Sequence, residues 1–320
     1  MTDADPSSTW RDWCQLIRLP NVFTVLADTT AAFVLVAGGV EPLGRYTTVL
    51  LSVCCLYWAG MILNDLWDLE IDREERPERP LPSGRISLSA AGNAGWGLML
   101  AGIGLALVSG YVSADGFESH LLPMSMAMLL ALSIVFYDGT LKKTPVAPLA
   151  MGACRVFSFL LGASAAMPAM GGFPFFAEHQ LAIGLGFGTY IIGVTMMARG
   201  EAIGQNRTPV VAGLLVTIVG LAVIAMGPRF FGGETPFYVD TSARFPILIG
   251  LLSLSVLVRS IRAVVNPEPA IVQMNIRTAI LTLIPLSAAV ALLGAGQTVA
   301  VGVFGLIVPA LYLGSFLRIT

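Results

Sequence analysis

Asn64-Asp65-Leu66-Trp67-Asp68-Leu69-Glu70-Ile71-Asp72 follows directly on the apolar run Val49–Leu63. Asn64, Asp68 and Asp72 stand at i, i+4 and i+8. On a helix each step of four residues advances roughly 6 Å and drifts about 40°. The spacing therefore predicts three oxygen-bearing side chains along one face, with Glu70 pointing elsewhere. Carboxylates spaced by turns at the end of an apolar helix suit a hard cation that keeps waters and bridges to phosphate oxygens, as Mg²⁺ does. The next residues, Arg73-Glu74-Glu75-Arg76-Pro77-Glu78-Arg79-Pro80-Leu81-Pro82-Ser83-Gly84-Arg85, read as a charged, proline-broken loop. It brings cations close to the acidic face.

The surroundings of this stretch are those of a membrane protein. Mean hydropathy is +0.80 and only 12% of the 320 residues are charged. A water-soluble chain of this length needs far more charge to cover its surface, so the lipid bilayer is the expected solvent. A net charge of −2 gives no basis for a nucleic-acid partner. Of the four cysteines, Cys54, Cys55 and Cys154 lie in apolar runs, and with Cys14 they show no paired or metal-type spacing. They read as reduced filler. Met1–Thr9 is polar and acidic, without the basic n-region of a signal peptide. The first apolar segment is therefore expected to stay as a span.

Trp10–Pro20 reads as an amphipathic segment on the membrane surface, with the first span beginning near Asn21. Apolar segments follow at about 22–40, 46–63, 91–113, 121–137, 147–168, 179–198, 209–227, 245–264, 277–294 and 298–317. Most have the roughly 17–25 residues that a span requires. Only Ala295–Gln297 separates the last two, which leaves a tight hairpin or one re-entrant element, hence ten spans or nine. With the N-terminus inside and ten spans, fourteen of the 18 Lys and Arg fall on inside loops and helix ends. Arg45, Arg229 and Arg244 fall outside, and Arg155 falls within a span. The positive-inside rule predicts such a bias. It places the Asn64–Asp72 stretch on the cytoplasmic side of what is expected to be a bacterial inner membrane. No linker or composition break divides residues 1–320, which read as a single all-α, polytopic helical bundle. A weak internal echo is present: one helix ends in a polar cluster at Asn64, another in a polar cluster near Glu201, on the same expected side.

Four further places carry polar chemistry. In Tyr137-Asp138-Gly139-Thr140-Leu141-Lys142-Lys143, Lys142 suits a point cation near metal-held diphosphate oxygens; Lys143 reads equally as a topology signal. Arg155 lies about two turns inside a span, where a cation is costly and functional by default, unless it snorkels to the surface. Asp28, beside Thr29 and Thr30, is a second intramembrane charge, with Arg155 or a substrate as partner, or a helix-packing contact instead. Glu201 is the acid of Ala198-Arg199-Gly200-Glu201-Ala202-Ile203-Gly204-Gln205-Asn206-Arg207-Thr208, where an ordinary loop charge is the alternative. His120 and His179 fall in outside loops, away from these groups.

Together these residues resemble the UbiA superfamily of intramembrane prenyltransferases. The resemblance rests on Asn64-Asp65-x-x-Asp68-x-x-x-Asp72 followed by Arg79-Pro80-Leu81-Pro82-Ser83-Gly84-Arg85-Ile86. It extends to Arg18-Leu19-Pro20-Asn21, to Tyr137 with Lys142, and to Gly162-Ala163-Ser164. It implies a bundle of nine or ten transmembrane helices around a central cavity open laterally to lipid. It also implies Mg²⁺ and a polyprenyl diphosphate donor held by Asn64, Asp68 and Asp72. Arg18, Asn21, Asp65, Tyr137, Lys142 and Arg155 would then contact the diphosphate or the acceptor. The second motif departs from the family pattern. Gly200-Glu201 stands where Gly-Asp belongs, Val194 and Met197 replace earlier aspartates, Gln205 replaces a glycine, and Thr208 remains. One carboxylate, Glu201, survives from a cluster that normally serves a second Mg²⁺. This form is similar to that of UbiA-like proteins named EboC. The departure keeps two functions in view: prenyl transfer to an aromatic or alcohol acceptor, and a non-catalytic carrier of a prenylated or lipophilic compound.

Overall fold

A computed structural model describes residues 9–202 and 207–317, the side chains of 200–202 excepted. Thr9 opens the first helix, α1 (Trp10–Leu16), through a reciprocal capping box. Its N–H donates to Asp12 Oδ2 at 2.9 Å, and its hydroxyl accepts from the Asp12 N–H at 3.4 Å. The chain then breaks at Arg18, whose φ of +45° lies in the left-handed region. A short turn at Leu19–Asn21 leads into the first long helix, α2 (Val22–Ala37).

Among the described residues ten helices are long and apolar enough to cross a membrane, as the hydropathy pattern predicts. After α2 come α3 (Leu43–Trp67), the short amphipathic α4 (Leu69–Glu75), α5 (Leu88–Tyr111) and α6 (Leu122–Phe136). A π-helical turn, Tyr137–Leu141, extends α6. Then follow α7 (Ala147–Ala165), α8 (Glu178–Ala202), α9 (Arg207–Phe231), α10 (Arg244–Val265) and α11 (Pro269–Ala295). The tenth candidate span is built from α12 (Gln297–Gly305) and α13 (Ile307–Leu317). Gly296, at φ +78°, turns the chain between α11 and α12. The end of α13 returns to α1: Trp10 stacks on Phe316 with ring centroids 6.5 Å apart, and Gln15 Nε2 donates to the Leu317 carbonyl at 3.5 Å. The last pair is thus a crossing hairpin, which favours ten spans over nine.

Small residues set the tightest helix contacts. A Cβ on Gly193 of α8 would stand 2.5 Å from the Gly213 carbonyl of α9, and one on Gly213 2.6 Å from the Gly193 carbonyl. A Cβ on Gly162 of α7 would stand 2.5 Å from the Thr29 carbonyl of α2. Lipid offers no hydrophobic drive between helices, so such close backbone approach supplies dispersion contact in its place.

At the end of the bundle away from the acidic stretch, Arg45 departs from its expected loop position. It lies in α3, fully buried, and donates to the carbonyls of Val112 (3.1 Å), Gly110 (3.3 Å), Glu118 (2.8 Å) and Met167 (3.4 Å). The turns after α5 and α7 leave carbonyls without helical partners, and one guanidinium gathers them. His120 and His179 are likewise buried rather than loop-exposed. His120 joins the Arg45 network, and His179 sits edge-on to Phe237 at 5.4 Å.

Candidate active site

The last turns of α3 present Asn64, Asp65 and Asp68, but the expected unbroken helix to Asp72 is not found. Asp68 has φ −88° and ψ 1°, so α3 stops at Trp67 and α4 starts at Leu69. Hydrogen bonds still run through the break, from Asp68 N to Asn64 O at 3.0 Å and from Asp72 N to Asp68 O at 2.8 Å. Asp68 adopts the bridge region between helix and extended backbone, so the helix is interrupted there while the hydrogen-bond ladder continues. Glu70 points out to solvent and pairs with Arg73 at 2.7 Å.

Each acidic side chain meets a cation or a hydrogen-bond donor. Asp65 accepts from Arg18 at 2.9 Å and lies 3.8 Å from Arg79. Asp68 pairs with Lys142. Asp72 is buried and pairs with Arg79 at 2.7 Å and with Arg76 at 3.7 Å. The cations come from four places: the break before α2, the end of α4, the proline-rich loop, and the turn after the π-helical segment. That loop is anchored in turn, because Arg85 Nε donates to Asp12 Oδ1 of α1 at 2.6 Å. Burial raises the Asp12 carboxyl pKa, but hydrogen bonds from Thr9 and the Arg85 charge outweigh it. The net shift is downward from the ordinary value.

A second polar pair lies deeper. Arg155 of α7 donates through Nη1 to Asp28 of α2, which is fully buried, and to the Thr24 carbonyl at 3.5 Å. The two intramembrane charges are therefore partners, and Arg155 does not snorkel away. Tyr137 opens the π-helical turn, and Lys143 is exposed, in keeping with a topology signal.

The end of α8 is tied to the same region by Arg199, whose Nη1 donates to the Thr144 carbonyl at 2.5 Å. Glu201 falls at this helix end, its side chain outside the described residues, and Gln205 lies outside them altogether. Val194 and Met197, at the positions of the missing aspartates, are buried apolar residues.

Sequence reasoning passed over Asp138. This carboxylate, 7% exposed, accepts from Asn64 Nδ2 at 2.5 Å. A signal was present, because Asp138 and Lys142 repeat the four-residue spacing of Asn64 and Asp68.

The donor chemistry suits Mg²⁺. No three His, Cys, Asp or Glu side chains among the described residues converge into an all-protein metal cage. Mg²⁺ does not need one, since it binds through one or two carboxylates, waters and substrate phosphates. Asn64, with its Nδ2 engaged by Asp138, has its Oδ1 to offer, alongside the Asp68 and Asp72 carboxylates.

Comparison with known proteins places the chain in a family. Residues 25–273 match the model of the UbiA prenyltransferase family. The chain belongs to the UbiA prenyltransferase family. It is an integral, multi-pass membrane protein. The digeranylgeranylglyceryl phosphate synthase of Metallosphaera sedula is 37% identical over 87 residues, a match that spans only 27% of either chain. The protein of that name from Sulfolobus acidocaldarius is 25% identical over 265 residues, covering 77% of this chain and 84% of the relative. Among solved structures, a UbiA homologue from Aeropyrum pernix superposes with a TM-score of 0.61 at 16% identity, over 84% of this chain and 96% of that one. A UbiA homologue from Archaeoglobus fulgidus bound to GPP and Mg²⁺ gives 0.57 at 12% identity, over 85% and 99%. At such identities the likeness establishes the UbiA fold.

Proposed function

We propose that this UbiA-family protein transfers a polyprenyl group from a polyprenyl diphosphate to a lipid-soluble acceptor, aromatic or alcohol, with Mg²⁺. The interleaving of cations and carboxylates carries this reading: Lys142 on Asp68, Arg79 on Asp72, Arg18 on Asp65. A diphosphate with its metal presents both signs of charge, and such a cluster can meet both.

Asn64, Asp68 and Asp72 would hold the ion, with Glu201 serving the second motif. Bound there, Mg²⁺ would neutralise charge on the leaving diphosphate. Arg18, Lys142 and Arg79 supply fixed positive charge to the same oxygens, and Asp65 orients two of these cations. The allylic C–O bond breaks with its electron pair going to the diphosphate. Charge on those oxygens grows as it does, so fixed cations favour that state over the bound substrate. The acceptor gives an electron pair to the prenyl carbon, and its displaced proton passes to the released diphosphate. Apolar walls between the helices shelter the cation from water. Asn21, Tyr137 and Arg155 would contact the substrates, with Arg155, held by Asp28, meeting the acceptor. The distribution of Lys and Arg supports a site facing the cytoplasm.

The test gives purified full-length protein Mg²⁺, labelled geranylgeranyl diphosphate and a panel of acceptors. Released diphosphate together with a labelled lipid product supports transfer. Donor binding with no diphosphate released in the presence of any acceptor would remove catalysis and leave a carrier. The carrier reading has its own support: buried Val194 and Met197 supply no oxygen where a second metal is usually held.

A further inference from the structure

Two helices run side by side into the acidic cluster, and their contacts repeat at one register. Gly60 of α3 faces Ile134 of α6, where a Cβ on the glycine would meet the isoleucine Cγ2 at 3.3 Å. One turn on, Asn64 meets Asp138; one turn further, Asp68 meets Lys142. The last two pairs have the same sequence separation, 74 residues, and so does the first. This is a parallel seam in which apolar packing gives way to polar pairing as it nears the membrane edge. The π-helical turn carries the α6 side of the seam past the end of its α-helix, and such turns are frequent at functional sites.

Within the seam Asp138 has a partner but no assigned task. Asn64 and Asp138 are 8% and 7% exposed. In the structure the Asn64 amide turns its NH₂ toward Asp138 Oδ1, the arrangement an ionised carboxylate requires because it only accepts, and its carbonyl oxygen points away. Left alone, a buried asparagine amide can present either end. We propose that Asp138 is a positioning residue: it locks the Asn64 side chain so that Oδ1, not Nδ2, is offered to the Mg²⁺–diphosphate site. The inference rests on the proposed role of Asn64 as an oxygen donor. Outer partners that orient a metal-binding side chain typically change affinity by about 10–100-fold when removed.

The test measures Mn²⁺ binding by electron paramagnetic resonance on full-length protein in detergent, with inorganic diphosphate present. Asp138→Ala should weaken Mn²⁺ binding by about 10-fold or more. Asp138→Asn, whose carbonyl can still accept from Asn64, should stay within about 3-fold of the parent, a figure set by the smaller loss expected of a neutral acceptor. In a double-mutant cycle, Asn64→Ala and Asp138→Ala should not add, because one acts through the other. Asp138→Ser, too short to reach Asn64, replaces the alanine variant if that one does not fold. Equal loss in Asp138→Asn and Asp138→Ala would show that the carboxylate acts by its own charge, and would overturn the proposal. Additive losses in the cycle, or no loss in Asp138→Ala, would overturn it as well. If the parent protein itself binds no Mn²⁺ with diphosphate, the functional reading has failed rather than this refinement of it.

Discussion

Arg79 stands 2.7 Å from Asp72 and 3.8 Å from Asp65, so one guanidinium bridges both halves of the broken α3–α4 acidic run. The arginine comes from the proline-rich loop, which the Arg85–Asp12 pair pins to α1. Among the described residues, removing it leaves buried Asp72 with Arg76 alone as a cationic partner, at 3.7 Å. Hydrogen bonds to charged groups are worth about 1.5–3 kcal/mol. Arg79→Ala should therefore weaken Mg²⁺-dependent binding of labelled geranylgeranyl diphosphate by about 10-fold to 100-fold. Arg79→Lys keeps the charge but not the fork and should fall between. Filter binding across a donor titration checks this, and unchanged affinity in Arg79→Ala would detach the loop from the site.

Lys142 and Lys143 are neighbours with unlike surroundings. Lys142 reaches Asp68, whereas Lys143 is exposed. If Lys142 stabilises charge that grows as the diphosphate leaves, its effect belongs in the transition state. Lys142→Met should then lower kcat by about 100-fold or more, the scale of losing one fixed donor to a developing oxyanion, with a smaller change in donor KM. Lys143→Met should change neither. Steady-state kinetics on both variants separates them; equal effects would reduce Lys142 to a general contributor of surface charge.

Asp28 and Arg155 make a stability prediction as well as a functional one. Breaking a buried ion pair by removing one member costs about 3–5 kcal/mol, while replacing both with apolar side chains is often close to neutral. Asp28→Leu should lower the Tm more than the double variant Asp28→Leu/Arg155→Met. In the same proteins, loss of Arg155 should raise acceptor KM and leave donor binding in place. Thermal unfolding in detergent and two-substrate kinetics provide the two readings. A double variant as unstable as the single would mean that the pair is not isolated from its neighbours.

Much of this arrangement was legible in the chain. Segment length and hydropathy lead to nine or ten spans, because a bilayer imposes both, and the turn at Gly296 decides for ten. The proposed site at Asn64, Asp68 and Asp72 rests on turn-spaced polar oxygens at a helix end, a pattern the chain displays openly. The break at Asp68 was not legible, since hydrogen bonding and spacing both pass through it and only a backbone angle records it. Arg45 was misplaced for a different reason. A charge counter sees an arginine beside a loop, whereas burial depends on carbonyls contributed by distant turns. The four-residue spacing of Asp138 and Lys142 is visible in the chain, but the partner that gives Asp138 its place is 74 residues away, and spacing within one helix does not say which helix it faces.

The α8–α9 contact gives a test that starts from helix packing rather than from the charges of the site. Gly193 and Gly213 bring the two backbones so near that an added Cβ would fall 2.5–2.6 Å from a facing carbonyl, and backbone cannot yield as a flexible side chain can. Gly193→Ala must push α9 away. Because Arg199 of α8 holds the loop that follows Lys142, the displacement should also reach donor binding. The expected result is a marked fall in Tm accompanied by weaker diphosphate binding. Gly250 of α10 has nothing within 4 Å of its would-be Cβ. There alanine should be neutral or stabilising, by up to about 1 kcal/mol from helix propensity alone. Measuring both in one detergent separates packing from propensity, and a tolerated Gly193→Ala would mean that α8 and α9 do not approach as closely as their glycines permit.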